Sequence, residues 1–180
     1  MRYDMAKSPL RHALMKFVVP APLLLFCFLF VWAPSGAQAQ KPDDLGGHGK
    51  WTAYSFKDGG KKVCYMASAP TKQQGKYKQR GQPYALVTNR PATKSRGEVN
   101  FVAGYKYKKD FPVKVVVNKQ KFELFSTDNR AWSSDVAMDD SLVKAMIRGS
   151  KMVVVGVSSR GTKTTDTYSL SGFTATKKLI

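Results

Sequence analysis

Side chains able to do acid–base or nucleophilic chemistry are scarce and widely spaced in this chain. Beyond residue 39 there is one histidine, His48, and one cysteine, Cys64. A Cys–His nucleophile pair would have to be these two, and nothing in the glycine-rich stretch around His48 ties it to Cys64. A zinc site of nitrogen and sulfur ligands needs more of them than this. Gly46-Gly47-His48-Gly49-Lys50 has the glycines and lysine of a phosphate loop without its spacing, and the run from Trp51 to Phe56 alternates like a strand instead of opening a helix. Asp139-Asp140 falls where a helix would start, a position at which carboxylates are favoured on electrostatic grounds alone. Asp110, Asp128 and Asp135 are scattered, whereas a two-carboxylate hydrolase needs a defined pair across a cleft. The expectation is a non-enzymatic protein with no catalytic residues, no cofactor and no metal. The alternative is an enzyme acting on cell-wall or surface polymers, which requires a cleft with paired polar residues.

The first 39 residues read as a secretory signal peptide. Arg2, Lys7, Arg11 and Lys16 precede an apolar run from Phe17 to Trp32, and the small-residue pattern Ala37-Gln38-Ala39 comes after it. The run is short for a span of roughly 20 residues and holds Pro20 and Pro22. Cys27 follows the bulky Phe26, which excludes lipoprotein processing and leaves it as part of the apolar core. Residues 40–50 are expected to form a flexible leader and residues 51–180 a single domain. Cys64 has no intramolecular partner there; its apolar neighbours Val63, Tyr65 and Met66 favour burial, and pairing between chains is the alternative.

Positive charge is what the chain has in excess, +18 overall from 30 Lys and Arg against 12 Asp and Glu. Gly104-Tyr105-Lys106-Tyr107-Lys108-Lys109 alternates tyrosine with lysine, so a strand there would separate the two types onto opposite faces. Lys76-Tyr77-Lys78-Gln79-Arg80 repeats the mixture in residues 71–83, expected as a long, mobile, solvated loop. Aromatics among basic residues also line single-stranded nucleic-acid grooves, but an exported chain works away from nucleic acid, and none is expected. Lysines on edge strands discourage aggregation, and a solvated basic surface is the plain reading. The sharper one makes Lys72, Lys76, Lys78, Arg80, Lys106, Lys108 and Lys109 an anionic contact surface for envelope lipids or glycans.

These residues must be carried mostly by strands. Alternating runs occur at 51–56, 62–67, 84–89, 98–107, 113–118, 121–126, 151–159 and 164–170. Asp58-Gly59-Gly60 and Asn118-Lys119-Gln120 are hairpin signals. Leu142, Ala145 and Met146 have helical spacing, with acids before them, Arg148 after them and Gly149 at the stop, so a short helix is expected over 139–148. The composition is that of an all-β, antiparallel sandwich-like domain with one short helix. Near the end, Tyr168 and Leu170 keep a period of two and Phe173 breaks it. Either a short C-terminal helix starts after an N-cap at Ser171, or a bulge lies at Gly172.

The ordered set of Trp51, Cys64-Tyr65-Met66, the helix ending in Gly149, the run Lys151-Met152-Val153-Val154 and Ser169-Leu170-Ser171-Gly172-Phe173 resembles the invasion-associated locus B family. The resemblance covers the chain from Trp51 to Leu179. It implies an all-β sandwich-like domain, exported and periplasmic, or else outer-membrane-associated or secreted. Some members are linked to host-cell entry, which adds the host-cell surface to the expected partners. Members often carry cysteine pairs that this chain lacks. Packing by Trp51, Phe122, Trp132 and Phe173 is therefore expected to carry more of the stability, each contributing about 2–3 kcal/mol if fully buried.

Overall fold

The structure, a computed structural model, describes residues 41–180; the expected signal peptide lies outside the described residues. Eleven strands and two helices succeed one another: β1 (Asp43–His48), β2 (Trp51–Asp58), β3 (Lys61–Ser68), β4 (Lys72–Gly75), β5 (Tyr84–Arg90), β6 (Ser95–Val102), β7 (Val113–Val117), β8 (Gln120–Thr127), β9 (Arg130–Trp132), α1 (Val136–Arg148), β10 (Lys151–Val157), β11 (Lys163–Ser169) and α2 (Phe173–Lys177). All the pairings are antiparallel, in the order β1-β2-β3-β5-β6-β9-β8-β7-β10-β11-β4.

β8 joins the two layers. Its first part, from Gln120 to Leu124, pairs with β7, and its last residues, Phe125 to Thr127, pair with β9. The inner faces meet between the layers, with the Phe101 ring of β6 lying 6.3 Å from the Tyr168 ring of β11. Period-two alternation builds this core. Trp51, Ala53, Met66, Val87, Val99, Val113, Val115, Leu124 and Met152 are buried from successive strands. The fold class is all-β and sandwich-like, as the alternation implies.

The hairpin signals are resolved as two-residue turns. Asp58 pairs with Lys61 across Gly59-Gly60, both at positive φ, and Val117 pairs with Gln120 across Asn118-Lys119. The helix begins earlier than its apolar spacing indicates. Asp135 is the N-cap and accepts from the Met138 N–H at 2.8 Å, so α1 starts at Val136 instead of 139. Leu142, Val143, Ala145 and Met146 are buried where α1 lies against β6 and β7, and Asp139 accepts from the Val99 N–H of β6 at 2.9 Å.

Other expectations also need correction. The segment expected as a flexible leader holds a strand: Asp43–His48 forms β1 against β2 with a bulge between Asp44 and Gly46. The glycines there allow the bulge and its positive φ at Gly46. Residues 71–83 are not a free loop: Lys72–Gly75 pairs with β11, and the Gly81 N–H donates to the Gly104 carbonyl at 2.9 Å. The strand expected over 98–107 stops at Val102, because Gly104 takes positive φ and turns the chain. Trp132 does not join the core; it is half-buried on the outward face, whereas Trp51 and Phe173 are buried and Phe122 packs against the core from its edge.

The phase slip at the C-terminus is a helix. Its N-cap is Gly172, not Ser171, and Gly172 is in the left-handed region with φ 85°. The turn drives Phe173 under Trp51, ring centroids 5.0 Å apart and nearly perpendicular. Thr176, fully buried, then accepts from the His48 N–H at 3.0 Å and donates to the Trp51 carbonyl at 3.3 Å.

Candidate functional site

A basic cleft of about 860 Å³ opens at one end of the β10–β11 hairpin. The crossing segment after β4 supplies Lys76, Tyr77, Lys78 and Arg80, the turn after β6 supplies Tyr105 and Lys106, and the β10–β11 turn supplies Ser158, Ser159, Arg160 and Thr162. No aspartate or glutamate is among the residues lining it. Lys76, Lys78, Lys106 and Arg160 are exposed.

The cleft rests on an ion pair in the interior. The Arg80 side chain is 2% exposed and that of Asp166 5%. Its two terminal nitrogens donate to the two carboxylate oxygens at 2.7 and 2.5 Å, and Nε donates to the Ala103 carbonyl at 2.7 Å. That fork geometry suits a bidentate carboxylate. The guanidinium also lies 5.0 Å from the Tyr105 ring centroid and 5.6 Å from that of Tyr77. Tyr105 shares a 2.6 Å hydrogen bond with the Thr164 hydroxyl and meets Tyr107 edge-on at 5.3 Å. Burial acts to lower the Arg80 pKa; the hydrogen bonds and charge of Asp166 outweigh it and the net shift is upward. Burial raises the Tyr105, Tyr107 and Tyr168 phenols, keeping all three neutral. The cluster is therefore a fixed charge pair within neutral tyrosines.

The seven basic residues singled out from the sequence separate into groups. Lys76, Lys78 and Lys106 converge on the cleft. Arg80 forms the floor of the cleft with its charge bound to Asp166. Lys106 also reaches Asp128 at 3.2 Å, an exposed pair. Lys72 is on β4, Lys108 leans over the Phe111 ring at 5.7 Å, and Lys109 is in the turn after it; none of these three lines the cleft.

Arg160 was missed, because position in a Ser-Arg-Gly turn carries no signal of which other loop it will face. Asp166 was also missed, although its signal is present. It shares the inward phase of Tyr168 and Leu170, and an acid in that phase demands a buried cation.

The nucleophile candidates stay apart. Cys64 is buried as a free thiol beside Ser55, while exposed His48 pairs with Trp51, further along β2. Among the described residues no group of three or more His, Cys, Asp or Glu is placed to hold a metal ion, and no helix is long and apolar enough to cross a membrane. A second basic groove of about 770 Å³ lies between the β7–β8 turn and α1, lined by Lys119, Lys121, Lys144 and Arg148.

Comparison with known proteins places the chain. No curated protein sequence matches it. The crystal structure of invasion associated protein B from Bartonella henselae is similar at a TM-score of 0.53 and 18% identity, covering 78% of this chain and 95% of that one. At that identity the likeness concerns the fold. The family model described as "Invasion associated locus B (IalB) protein" matches residues 51–180. The chain belongs to the invasion associated locus B family.

Proposed function

We propose that this is an exported, non-enzymatic protein of the cell envelope whose basic cleft engages the phosphate or carboxylate groups of an anionic lipid or glycan. Through such contacts it contributes to envelope function or to host-cell invasion, the process for which its family is named. The observation that carries the reading is the convergence of Lys76, Lys78, Lys106 and Arg160 on one cleft free of acidic lining. The segments bearing them are separated in sequence and fastened from below by Arg80 and Asp166. Cations held at fixed spacing attract a multiply charged surface over about a Debye length, roughly 8–10 Å at moderate salt.

The test is binding of the processed protein to vesicles of phosphatidylglycerol in phosphatidylcholine, measured by cosedimentation across a salt series. Binding is expected at low salt and should weaken as salt rises. Each basic side chain near such a surface contributes about 1 kcal/mol, so replacing Lys76, Lys78 and Arg160 by glutamine should cost on the order of 100-fold. Equal binding by the triple variant, with its fold intact by circular dichroism, would remove the cleft from the interaction.

A further inference from the structure

The outward face of the layer formed by β2, β3, β5, β6 and β9 holds more aromatic and planar polar surface than solvent exposure requires. Tyr54 and Tyr65 stack at 5.2 Å, and Phe56 meets Tyr65 edge-on at 5.9 Å. One row across the strands runs Leu86, Asn100, Trp132, Phe125. Between these two groups lies a groove of about 390 Å³. The outward face of β7, β10 and β11 differs, presenting half-buried valines and threonines with lysines around them.

Two polar residues of the groove, Asn100 and Arg130, are tied to each other. Asn100 is 2% exposed although it points outward, and its Oδ1 accepts from Arg130 at 3.0 Å. The Arg130 guanidinium in turn lies 6.0 Å from the Trp132 ring centroid. Glu98 stands one outward position from Asn100 along β6, and Arg90 lies across the groove, 3.6 Å from Asp58. The lining thus combines aromatic faces with donors and an acceptor of both charge signs. That balance contrasts with the basic cleft, whose lining carries cations and no acid.

We infer that this groove binds a pyranose ring of a neutral oligosaccharide. A pyranose has one face of C–H groups and an edge of hydroxyls that both donate and accept. The C–H face matches the rings of Trp132 and Tyr65; the hydroxyl edge matches Arg130, positioned by Asn100, and Glu98. A polyanion would meet the Glu98 carboxylate, and with charges of both signs on the rim the better complement is uncharged. The volume falls in the range of roughly 300–1,000 Å³ usual for small-molecule sites. The inference is independent of the anionic contact surface, because the two sites share no lining residue.

The processed protein offers its own probe. Beyond residue 39 the tryptophans are Trp51, 1% exposed in the core, and Trp132, in the groove. Titration with tri-N-acetylchitotriose, cellotriose and maltotriose, monitored by tryptophan fluorescence and calorimetry, is expected to show saturable binding of at least one, insensitive to salt. Trp132→Ala should weaken that binding at least about tenfold, the equivalent of 1.4 kcal/mol. Glu98→Gln, which preserves the packing, should weaken it severalfold, and the triple substitution in the basic cleft should leave it unchanged. Absence of saturable binding for all three sugars would overturn the inference. So would binding indifferent to both groove variants. A dimer in sedimentation that Phe125→Lys dissolves would assign this face to a second copy of the chain and overturn it equally.

Discussion

Asp166 is an acid on the inner face of a strand, and it is tolerated there because Arg80 reaches it from a segment 86 positions away. Two ions removed from water are not by themselves more favourable than two apolar side chains of like size, but separating them is costly. Arg80→Met would leave the carboxylate buried without its cation and is expected to lose about 3–5 kcal/mol, read from urea unfolding. Replacing both, as Arg80→Met with Asp166→Leu, should recover most of that loss. A double variant no more stable than the single one would show that the pair is not what holds the segment. The same residues explain why charge alone was a poor guide to the site. Lysine and arginine count equally in a composition, yet Lys78 is exposed and Arg80, two positions on, is bound inside. Only the phase of Asp166 along β11, read beside an arginine with no other assigned partner, distinguishes them in advance.

At the scale of elements, α2 depends on a glycine for two reasons. Gly172 has φ 85°, and a Cβ there would run into the His48 carbonyl where β1 ends. Gly161 in the β10–β11 turn has φ 83° with open space around it. Gly161→Ala is therefore expected to cost only the conformational preference, about 1–2 kcal/mol. Gly172→Ala should add an overpacking cost of about 1–3 kcal/mol to that, measured by the same unfolding experiment. Equal losses at both positions would mean that β1 yields to the added methyl group. The strands were readable because Trp51 and Ala53, and Tyr168 and Leu170, recur at a period of two with half-buried residues between them. β4 was not, because Lys72-Gln73-Gln74-Gly75 is exposed throughout and owes its form to pairing with β11, a contact over long sequence distance. β9 is three residues long, too short for any period to register. The candidate cleft was half visible for a related reason: its lysines stand in the sequence, whereas their convergence is set by two turns and a crossing segment with no periodicity.

Among the described residues, the first and last elements, β1 and α2, close one corner of the domain. The family match begins at residue 51, yet β1 precedes it and pairs along β2 from Asp43 to His48. α2 lies over the same corner, with the His48 N–H bound to Thr176 and the Lys50 N–H bound to the Ser171 carbonyl at 3.2 Å. β1 buries little apolar surface, since Leu45 alone among its residues is less than exposed. Its contribution should therefore be chiefly hydrogen bonds, each worth about 0.5–1.5 kcal/mol net, together with protection of the β2 edge. An uncovered edge strand offers unpaired N–H and C=O groups to another chain. A protein shortened to begin at Trp51 is thus expected to unfold at lower urea concentration and to self-associate as its own concentration rises. Sedimentation of the shortened and unshortened proteins over a concentration series separates the two effects. A shortened protein that is less stable but remains monomeric would show that the β2 edge needs no cover. One unchanged in both respects would return residues 40–50 to the status of a dispensable leader, whatever their backbone pairing.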